Sequence, residues 1–307
     1  MIDVRDLSTT HGRRPVLDRV SLRVAAGQVT AVVSPVAAEA TSLVRAIVGL
    51  DRAGTGSALI DGAPYGSLDS PLTAVGTLLA GAPAHPARTA RDHLRWMAAG
   101  SALPSRRVDD LLEMVGLGSV AGIKVRDFTP ALRVRLGVAS AMLGDPDHYV
   151  LDDPLRHLDG LDALWLRQVL RRLAARGKAV LVTGNSLGRL AAVADRVVVL
   201  GHGRIVADED AAALRAQARP TVVLRAERQG ELFDLLRSMG ADVTPRLTDD
   251  GVSLEVSGLS AQRINEAAVG FGILSMVETD DGLADTLARL AGGAVPRVAA
   301  LAVGGMR

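Results

Sequence analysis

The chain has 307 residues, a formal net charge of +1, an apolar share of 48% and no cysteine. The near-neutral charge gives no basic surface for nucleic acid, and the absence of cysteine excludes disulfides and thiolate metal sites. The aromatic share is 2% and no run of about 18 apolar residues occurs, so neither a base-stacking surface nor a membrane span is expected. The charged start of the sequence predicts no signal peptide.

Residues 1 to about 214 are predicted to form an α/β domain. Apolar strands alternate there with amphipathic helices, an order typical of a largely parallel central sheet. The clearest predicted elements are the strand TAVV, the helix at 41–50, the helix LDALWLRQVLRRLAARG, and the strands KAVLVTG and DRVVVLG.

The segment QARP, which ends at Pro220, interrupts this alternation. The elements that follow have the order βαββαβ, which predicts a small α+β, ferredoxin-like domain. Its strands are TVVLRA, ADVTPRL, GVSLEVSG and ILSMVETD, and its helices are GELFDLLRSMG and SAQRINEAAVGFG. With a further helix, DGLADTLARLAGG, this accessory domain is predicted over 215–293, and a tail follows at 294–307.

The segment SPVAAEATS at 34–42 lies between an apolar strand and an apolar helix, where a phosphate-binding loop GxxxxGK[ST] would be expected. It contains neither glycine nor lysine, and no lysine occurs before Lys124. Thr41 and Ser42 keep the hydroxyl groups with which such a loop binds Mg²⁺. The pattern indicates a phosphate-binding loop that has been dismantled.

A pair of carboxylates follows another predicted strand, in DHYVLDDP at 147–154. Carboxylates at the carboxyl edge of a parallel strand can hold Mg²⁺ and polarise a water molecule. Asp152 and Asp153 are therefore candidate site residues. Because acidic residues end many strands, the alternative is a pair of solvated charges without a role.

The order and spacing of these segments, from residue 3 to about 292, resemble the nucleotide-binding subunit of ABC transporters, in its bacterial drug-exporter (ABC-2) branch. Stretches such as HPARTARDHLRWMAAG, RLGVASAMLGDP and ADRVVVLGHGRIVADE carry the resemblance. It implies an ABC-type P-loop NTPase fold over 1–214, with a helical subdomain at about 83–145.

The resemblance also assigns nucleotide-binding positions. The family's GPNGAGK loop and its two hydroxyl residues align on 34–42, so that Glu39 replaces the last glycine and Ala40 the lysine. Thr41 and Asp152 are the implied Mg²⁺ ligands. The implied nucleotide-binding residues are His11, in the place of an adenine-stacking aromatic residue, and Ser34, Pro35, Val36, Ala37, Ala38, Glu39, Ala40, Thr41 and Ser42.

Glu39 conflicts with phosphate binding for two reasons. Glycines in such a loop allow positive φ and a close approach of amides to phosphate. Two like charges about 4 Å apart repel by roughly 1 kcal/mol in water and about 4 kcal/mol at an effective dielectric of 20. Alternatively, Glu39 is simply a favourable acidic residue in the first turn of a helix. We expect both to hold, with its carboxylate occupying the anion site that phosphate would have used.

The remaining family motifs are also altered. Ala80 stands for the polar residue of the Q-loop, and Leu158 and Asp159 preserve the D-loop. Asp153 and Asn185 take the places of the catalytic glutamate and the switch histidine, and are the implied catalytic residues. The signature LSGGQ aligns with a segment in which proline removes one N–H donor: Phe128, Thr129, Pro130, Ala131 and Leu132.

Two family subunits meet head to tail, with each ATP between one subunit's phosphate loop and the other's signature. Because this chain has altered both motifs, the resemblance implies a pseudo-ATPase that braces or regulates a membrane permease, at the cytoplasmic face of the membrane through that partner. We expect no bound cofactor, with ATP and Mg²⁺ as ligands if the site retains function, a second ABC subunit of the same or a different chain, and no nucleic acid. The alternatives are a slow ATPase, a scaffold unrelated to transport, or an ABC-type translation factor.

In the family, a groove between the core and the helical subdomain receives a short helix of the permease. Here the groove would be bordered by the segment after Ala80 and by HPARTARDHLRWM, with Arg88 and Arg91 contributing to the contact. The alternative for this segment is an ordinary surface helix. Trp96 and Trp165 are predicted to be buried in the core.

Overall fold

The structure is a computed structural model that describes residues 1–12, 14–80, 84–158, 160–217, 221–248 and 251–279. The chain divides into two compact units, Met1–Ala211 and Ala212–Arg307. Asp159, the predicted helix DGLADTLARLAGG and the tail at 294–307 lie outside the described residues.

Two sheets form the first unit. Its strands are β1 (Ile2–His11), β2 (Arg14–Val24), β3 (Gln28–Val33), β4 (Thr55–Ile60), β5 (Val75–Leu78), β6 (His148–Leu151), β7 (Ala179–Gly184), β8 (Arg196–Gly201) and β9 (Arg204–Asp210). The six-stranded sheet has the order β5-β6-β7-β3-β8-β9 and is parallel up to β8, with β9 antiparallel. The largely parallel sheet predicted from the sequence is therefore confirmed. The antiparallel sheet β2-β1-β4 was not predicted.

The helices of the first unit lie between its strands along the chain, and one further helix follows the last strand. They are α1 (Ala37–Ile47), α2 (Pro71–Ala74), α3 (Ala90–Gly100), α4 (Arg106–Met114), α5 (Pro130–Met142), α6 (Gly160–Ala175), α7 (Leu187–Val193) and, at the boundary between the units, α8 (Ala211–Gln217). The helix predicted at 41–50 begins earlier and ends earlier than expected. It ends before Gly49, whose φ of +69° reverses the chain.

The core of the first unit lies around the parallel strands. Every residue of β7 is buried, as expected for a parallel strand covered on both faces. Helix α1 adds Leu43, Val44 and Ile47 to the same cluster. This packing fixes the carboxyl ends of β3, β6 and β7 relative to one another.

Arg135 of α5 joins the helical region to α6. Its guanidinium donates to the carbonyl of Val115 at 2.7 Å and to Asp162 Oδ1 at 2.7 and 3.1 Å. The same group lies 4.2 Å from the ring centroid of Trp165, which is half-buried beneath it rather than enclosed in the core as predicted.

Gly76 in β5 permits close packing against α5. A Cβ at this position would lie 2.1 Å from the carbonyl oxygen of Ala141. Gly76→Ala is therefore expected to lower the free energy of unfolding by about 1–3 kcal/mol, the usual cost of overpacking. Chemical denaturation measures this loss. Gly100→Ala, in open space on α3, is the control and should be neutral or slightly stabilising, and equal effects of the two substitutions would contradict the packing argument.

In the described part of the second unit, six elements follow α8 in the order βαββαβ. They are β10 (Thr221–Ala226), α9 (Gln229–Ser238), β11 (Asp242–Thr248), β12 (Gly251–Ser257), α10 (Ala261–Ala268) and β13 (Ile273–Thr279). The antiparallel sheet has the order β11-β12-β10-β13 and packs around buried side chains such as Leu224, Leu232 and Ile264. In the part of the chain that the structure describes, no helix has the length and apolarity to cross a membrane.

Candidate functional site

The predicted site residues meet where three parallel strands end. Ser34 follows β3, Asp152 and Asp153 follow β6, and Asn185 follows β7. Ligands of α/β sheets bind at this carboxyl edge, because the loops there leave a crevice and helix N-termini point toward it. The architecture therefore brings together residues that lie more than a hundred positions apart.

Asp152 is held at the site by three hydrogen bonds. It is 3% exposed and accepts hydrogen bonds from Thr41 Oγ1 at 3.0 Å and from Thr183 Oγ1 at 2.7 Å. A third contact comes from the Ala80 amide, at 3.4 Å. The structure thus unites Thr41 and Asp152, the two residues implied as Mg²⁺ ligands. Both carboxylate oxygens already have protein partners, and no cluster of three or more His, Cys, Asp or Glu suited to a metal occurs among the described residues.

Two other implied nucleotide-binding residues are directed away from this point. The Ser42 hydroxyl lies 2.8 Å from Thr9 Oγ1 of β1. His11 ends β1 and is exposed. Of the two adjacent hydroxyls of α1, only that of Thr41 contacts Asp152.

Glu39 is buried, with 6% of its surface exposed. Its carboxylate accepts hydrogen bonds from the Ser34 hydroxyl at 2.7 Å and from the Gly203 amide at 2.9 Å. The expectation that this carboxylate fills the anion site at the start of the helix is wrong, because its partners belong to the end of β3 and to the turn between β8 and β9. The exposed residues of the loop are Pro35, Val36, Ala37 and Ala38.

The loop amides are partly used by the loop itself. The Val36 amide donates to Ser34 Oγ at 3.1 Å, and the Glu39 amide donates to the Val36 carbonyl at 2.9 Å. Ala40, in the position that the resemblance gives to the phosphate-binding lysine, is a buried methyl group. Neither its side chain nor those of the exposed loop residues carry a positive charge.

Asp153 and Asn185 line a common cavity of about 160 Å³. Asp153 has φ of +47°, a conformation that Asp and Asn tolerate better than most residues. Burial raises the pKa of its carboxyl, while Arg156, whose Nε lies 3.9 Å from Oδ2, acts in the opposite direction. Asn185 is exposed, immediately before the residue that caps α7.

The signature-like segment begins a helix. The Thr129 side chain accepts a hydrogen bond from the Leu132 amide at 3.3 Å, and Pro130 occupies the first turn of α5. Phe128 is buried, and Ala131 is half-buried. These are the contacts of a capped helix start, and they would form without any ligand.

A cleft of about 390 Å³ adjoins the site. Its lining includes Ala80, Pro130, Arg133, Asp153, Arg156 and His157. The sequence analysis did not single out Arg133, Arg156 or His157 of this cleft, nor Thr183 and Gly203. Two sequence signals were present: the threonine near the end of the apolar strand KAVLVTG, and the Gly-His-Gly turn, in which the structure gives Gly203 a φ of +74°.

Asp153→Asn is expected to stabilise the protein at neutral pH. Because the folded-state pKa of Asp153 is raised, its contribution is fully present below about pH 3.9 and is lost as the pH rises through the folded value. Asparagine avoids that loss and tolerates the same backbone conformation. Thermal unfolding between pH 4 and 8 should show a gain that shrinks toward pH 4. The control, Asp69→Asn at an exposed position, should change little, and a pH-independent effect of Asp153→Asn would contradict the prediction.

Comparison with known proteins identifies the class. A profile described as ABC transporter matches residues 17–156. The lantibiotic transport ATP-binding protein SrtF of Streptococcus pyogenes is 23% identical over 210 residues, covering 68% of this chain and 91% of that protein. The Nod factor export ATP-binding protein I of Rhizobium meliloti is 25% identical over 305 residues, covering 95% of this chain and 88% of that protein. A solved dimeric bacterial ABC transporter cassette shares the fold, with a TM-score of 0.63 and 20% identity over 69% of this chain and 99% of that chain.

The fold of the first unit agrees with that of the solved cassette. Residues 17–156 match the ABC transporter profile, and the chain is similar over most of its length to ATP-binding proteins of transport and export systems. The resemblance and the ABC-type α/β fold inferred from the sequence are confirmed.

Proposed function

We propose that this chain is a pseudo-ATPase subunit of an ABC transporter complex, which braces or regulates a membrane permease without hydrolysing ATP at an ordinary rate. The observation that carries the proposal is the buried Glu39 carboxylate in the phosphate-binding loop, hydrogen bonded to Ser34 and Gly203. A loop fixed by its own carboxylate, and lacking glycine and lysine, does not fit a triphosphate in the manner of a GxxxxGK[ST] loop.

Two further features support this function. The Asp153 carboxylate is one methylene shorter than the family's glutamate, which limits its reach to an attacking water. Pro130 removes an amide at the start of α5, where the partner's phosphate would bind in the head-to-tail arrangement. Both nucleotide sites of a dimer would be weakened, whether the second ABC subunit is an identical or a different chain.

A slow ATPase is the second candidate. The 3.0 Å contact between Thr41 and Asp152 favours it, because two oxygen ligands for Mg²⁺ are already adjacent. If ATP and Mg²⁺ bind, these residues would hold the metal, and the metal would neutralise phosphate charge in the absence of the lysine.

Docking to a permease is supported by a groove on the first unit. The groove has a volume of about 560 Å³ and lies between α3 and residues 65–72, with Tyr65, Leu72, Trp96 and Met97 among its lining residues. Its α3 side belongs to the predicted segment HPARTARDHLRWM, but its other side is formed by residues 65–72 and not by the predicted segment after Ala80. Trp96 was predicted to be buried, but 60% of its surface is exposed. Arg88 covers one face of its ring, with Cζ 4.3 Å from the ring centroid. An exposed aromatic residue with an apolar groove beside it suits an amphipathic helix of a partner.

Equilibrium titration of the isolated protein with ATP, with and without Mg²⁺, tests the proposed function. We expect no saturable binding below about 1 mM, the upper end of ordinary substrate affinities. Micromolar, Mg²⁺-dependent binding accompanied by phosphate release would establish the slow ATPase instead. Copurification with a polytopic membrane protein tests the transport role, and copurification with ribosomes would contradict it.

A further inference from the structure

The Glu39 carboxylate connects two distant parts of the chain. Ser34 and Glu39 belong to the loop between β3 and α1, whereas Gly203 lies 164 positions further on. Ser34 is fully buried, and its hydroxyl also lies 2.9 Å from the Val36 carbonyl. The hydrogen bond between Ser34 and Glu39 therefore fixes the loop to its own strand, and the hydrogen bond between Gly203 and Glu39 fixes it to the turn between β8 and β9.

The Gly203 peptide is itself held from two sides. Its carbonyl accepts a hydrogen bond from the Asp18 amide at 2.8 Å, and its amide donates to Glu39. A Cβ at this position would lie 2.5 Å from the Val16 carbonyl oxygen, so the turn sits closely against β2. The turn has little room to follow a moving loop.

We propose that Glu39 is an internal latch, whose carboxylate ties residues 34–42 to the β8–β9 turn and holds the loop in one conformation without a bound anion. The inference rests on the proposed function and deepens it, because it specifies why the loop of this subunit does not respond to nucleotide. A phosphate-binding loop is usually ordered by the anion it surrounds, through its amides. Here an internal carboxylate supplies that order, from the opposite side of the loop.

Hydrogen exchange of backbone amides tests the latch without nucleotide, and the Gly203 amide is the main reporter because Glu39 is its acceptor. In Glu39→Ala, we expect exchange of this amide and of the hydrogen-bonded loop amides, those of Val36 and residue 39, to accelerate at least about tenfold. In Glu39→Gln, protection should stay close to that of the wild type. The carboxamide oxygen can accept from Gly203, and its amino group can donate to Ser34, whose hydroxyl then donates to Val36.

Glu209→Gln is the matched control, since Glu209 is exposed on β9 in the same hairpin. It should leave exchange of the Gly203 amide unchanged. If Glu39→Ala does not fold, Ser34→Ala serves instead, and it should accelerate exchange in the loop while the Gly203 amide stays protected. The latch would be overturned if the Gly203 amide were equally protected in the wild type and in Glu39→Ala. It would also be overturned if the loop were equally protected in the wild type and in Ser34→Ala.

The same measurement with millimolar Mg-ATP separates the latch from the proposed function. Exchange in the wild-type loop should be unaffected by Mg-ATP. Nucleotide-induced protection of that loop would contradict the pseudo-ATPase, whereas the comparison of variants without nucleotide decides the latch.

Discussion

Replacing Glu39 by glycine together with Ala40 by lysine should raise the affinity for Mg-ATP at least tenfold, about 1.4 kcal/mol, without restoring turnover. The substitution removes the internal carboxylate, returns a backbone position that tolerates positive φ, and adds a cation for the phosphates. Thr41 and Asp152 remain in contact at 3.0 Å to hold Mg²⁺. Binding by calorimetry and phosphate release by a steady-state assay are the two measurements.

The repaired protein should also be less stable than the wild type. Loss of the Glu39 carboxylate leaves the buried Gly203 amide without its acceptor, which costs about 1–3 kcal/mol. Glu39→Gln with Ala40→Lys is the matched control, because it removes the negative charge while keeping an acceptor for Gly203. We expect this control to gain part of the affinity with a smaller loss of stability.

Turnover is expected to stay below about 1 s⁻¹ in the repaired protein. Asp153, Asn185 and the capped start of α5 are unchanged in it, and they are the residues aligned with the catalytic motifs. A repaired variant that hydrolyses ATP at about 1 s⁻¹ or faster, the lower limit of ordinary enzymes, would show that these residues support catalysis.

Substitutions at the groove beside α3 should have the second large effect, a loss of binding to membranes that contain the permease. Trp96→Ala is expected to reduce binding to membranes that contain the permease by about tenfold or more, as for an aromatic residue at the centre of an interface. Arg88→Glu should act in the same direction, because the Arg88 guanidinium packs on the Trp96 ring. Co-sedimentation with such membranes, compared with membranes that lack the permease, measures the loss.

Controls separate the groove from general surface effects and from the nucleotide site. Leu161→Ala removes another large apolar side chain, 83% exposed, and should leave association unchanged. Arg91→Glu should weaken association. Because Arg91 also pairs with Asp109 at 3.0 Å, Asp109→Asn is the separate control for loss of that ion pair. Asp153→Asn should leave association intact. If Asp153→Asn abolishes complex function while the groove substitutions have no effect, the chain is a working ATPase.

The central sheet could be predicted from local patterns, whereas the contact between Thr41 and Asp152 was implied by the family resemblance, which made both Mg²⁺ ligands. Apolar runs fix the strands, and parallel strands place their carboxyl ends at one edge. The direction of the Glu39 side chain could not be predicted in this way. A glutamate in the first turn of a helix can face the ligand or the interior, and the Gly203 amide, remote in sequence, decides between them.

The antiparallel sheet and the exposure of Trp96 could not be predicted from the sequence. The sheet β2-β1-β4 depends on β1 pairing with a strand about fifty residues away, for which a single sequence gives little signal. Trp96 was placed in the core on the strength of its apolarity, whereas α3 buries a different face, with Ala90, Leu94 and Ala98. Tryptophan is highly buried on average, so a single sequence gives no signal that Trp96 lies on the exposed face of α3.

The contacts of Arg135 have a mechanical consequence. One guanidinium clamps the carbonyl that ends α4, the carboxylate at the start of α6 and the ring of Trp165. Arg135 therefore connects the helical region to α6, and α6 in turn packs on β3 and β7. A force applied to α3 would be transmitted through this connection to β3, which precedes Ser34, and to β7, which carries Thr183.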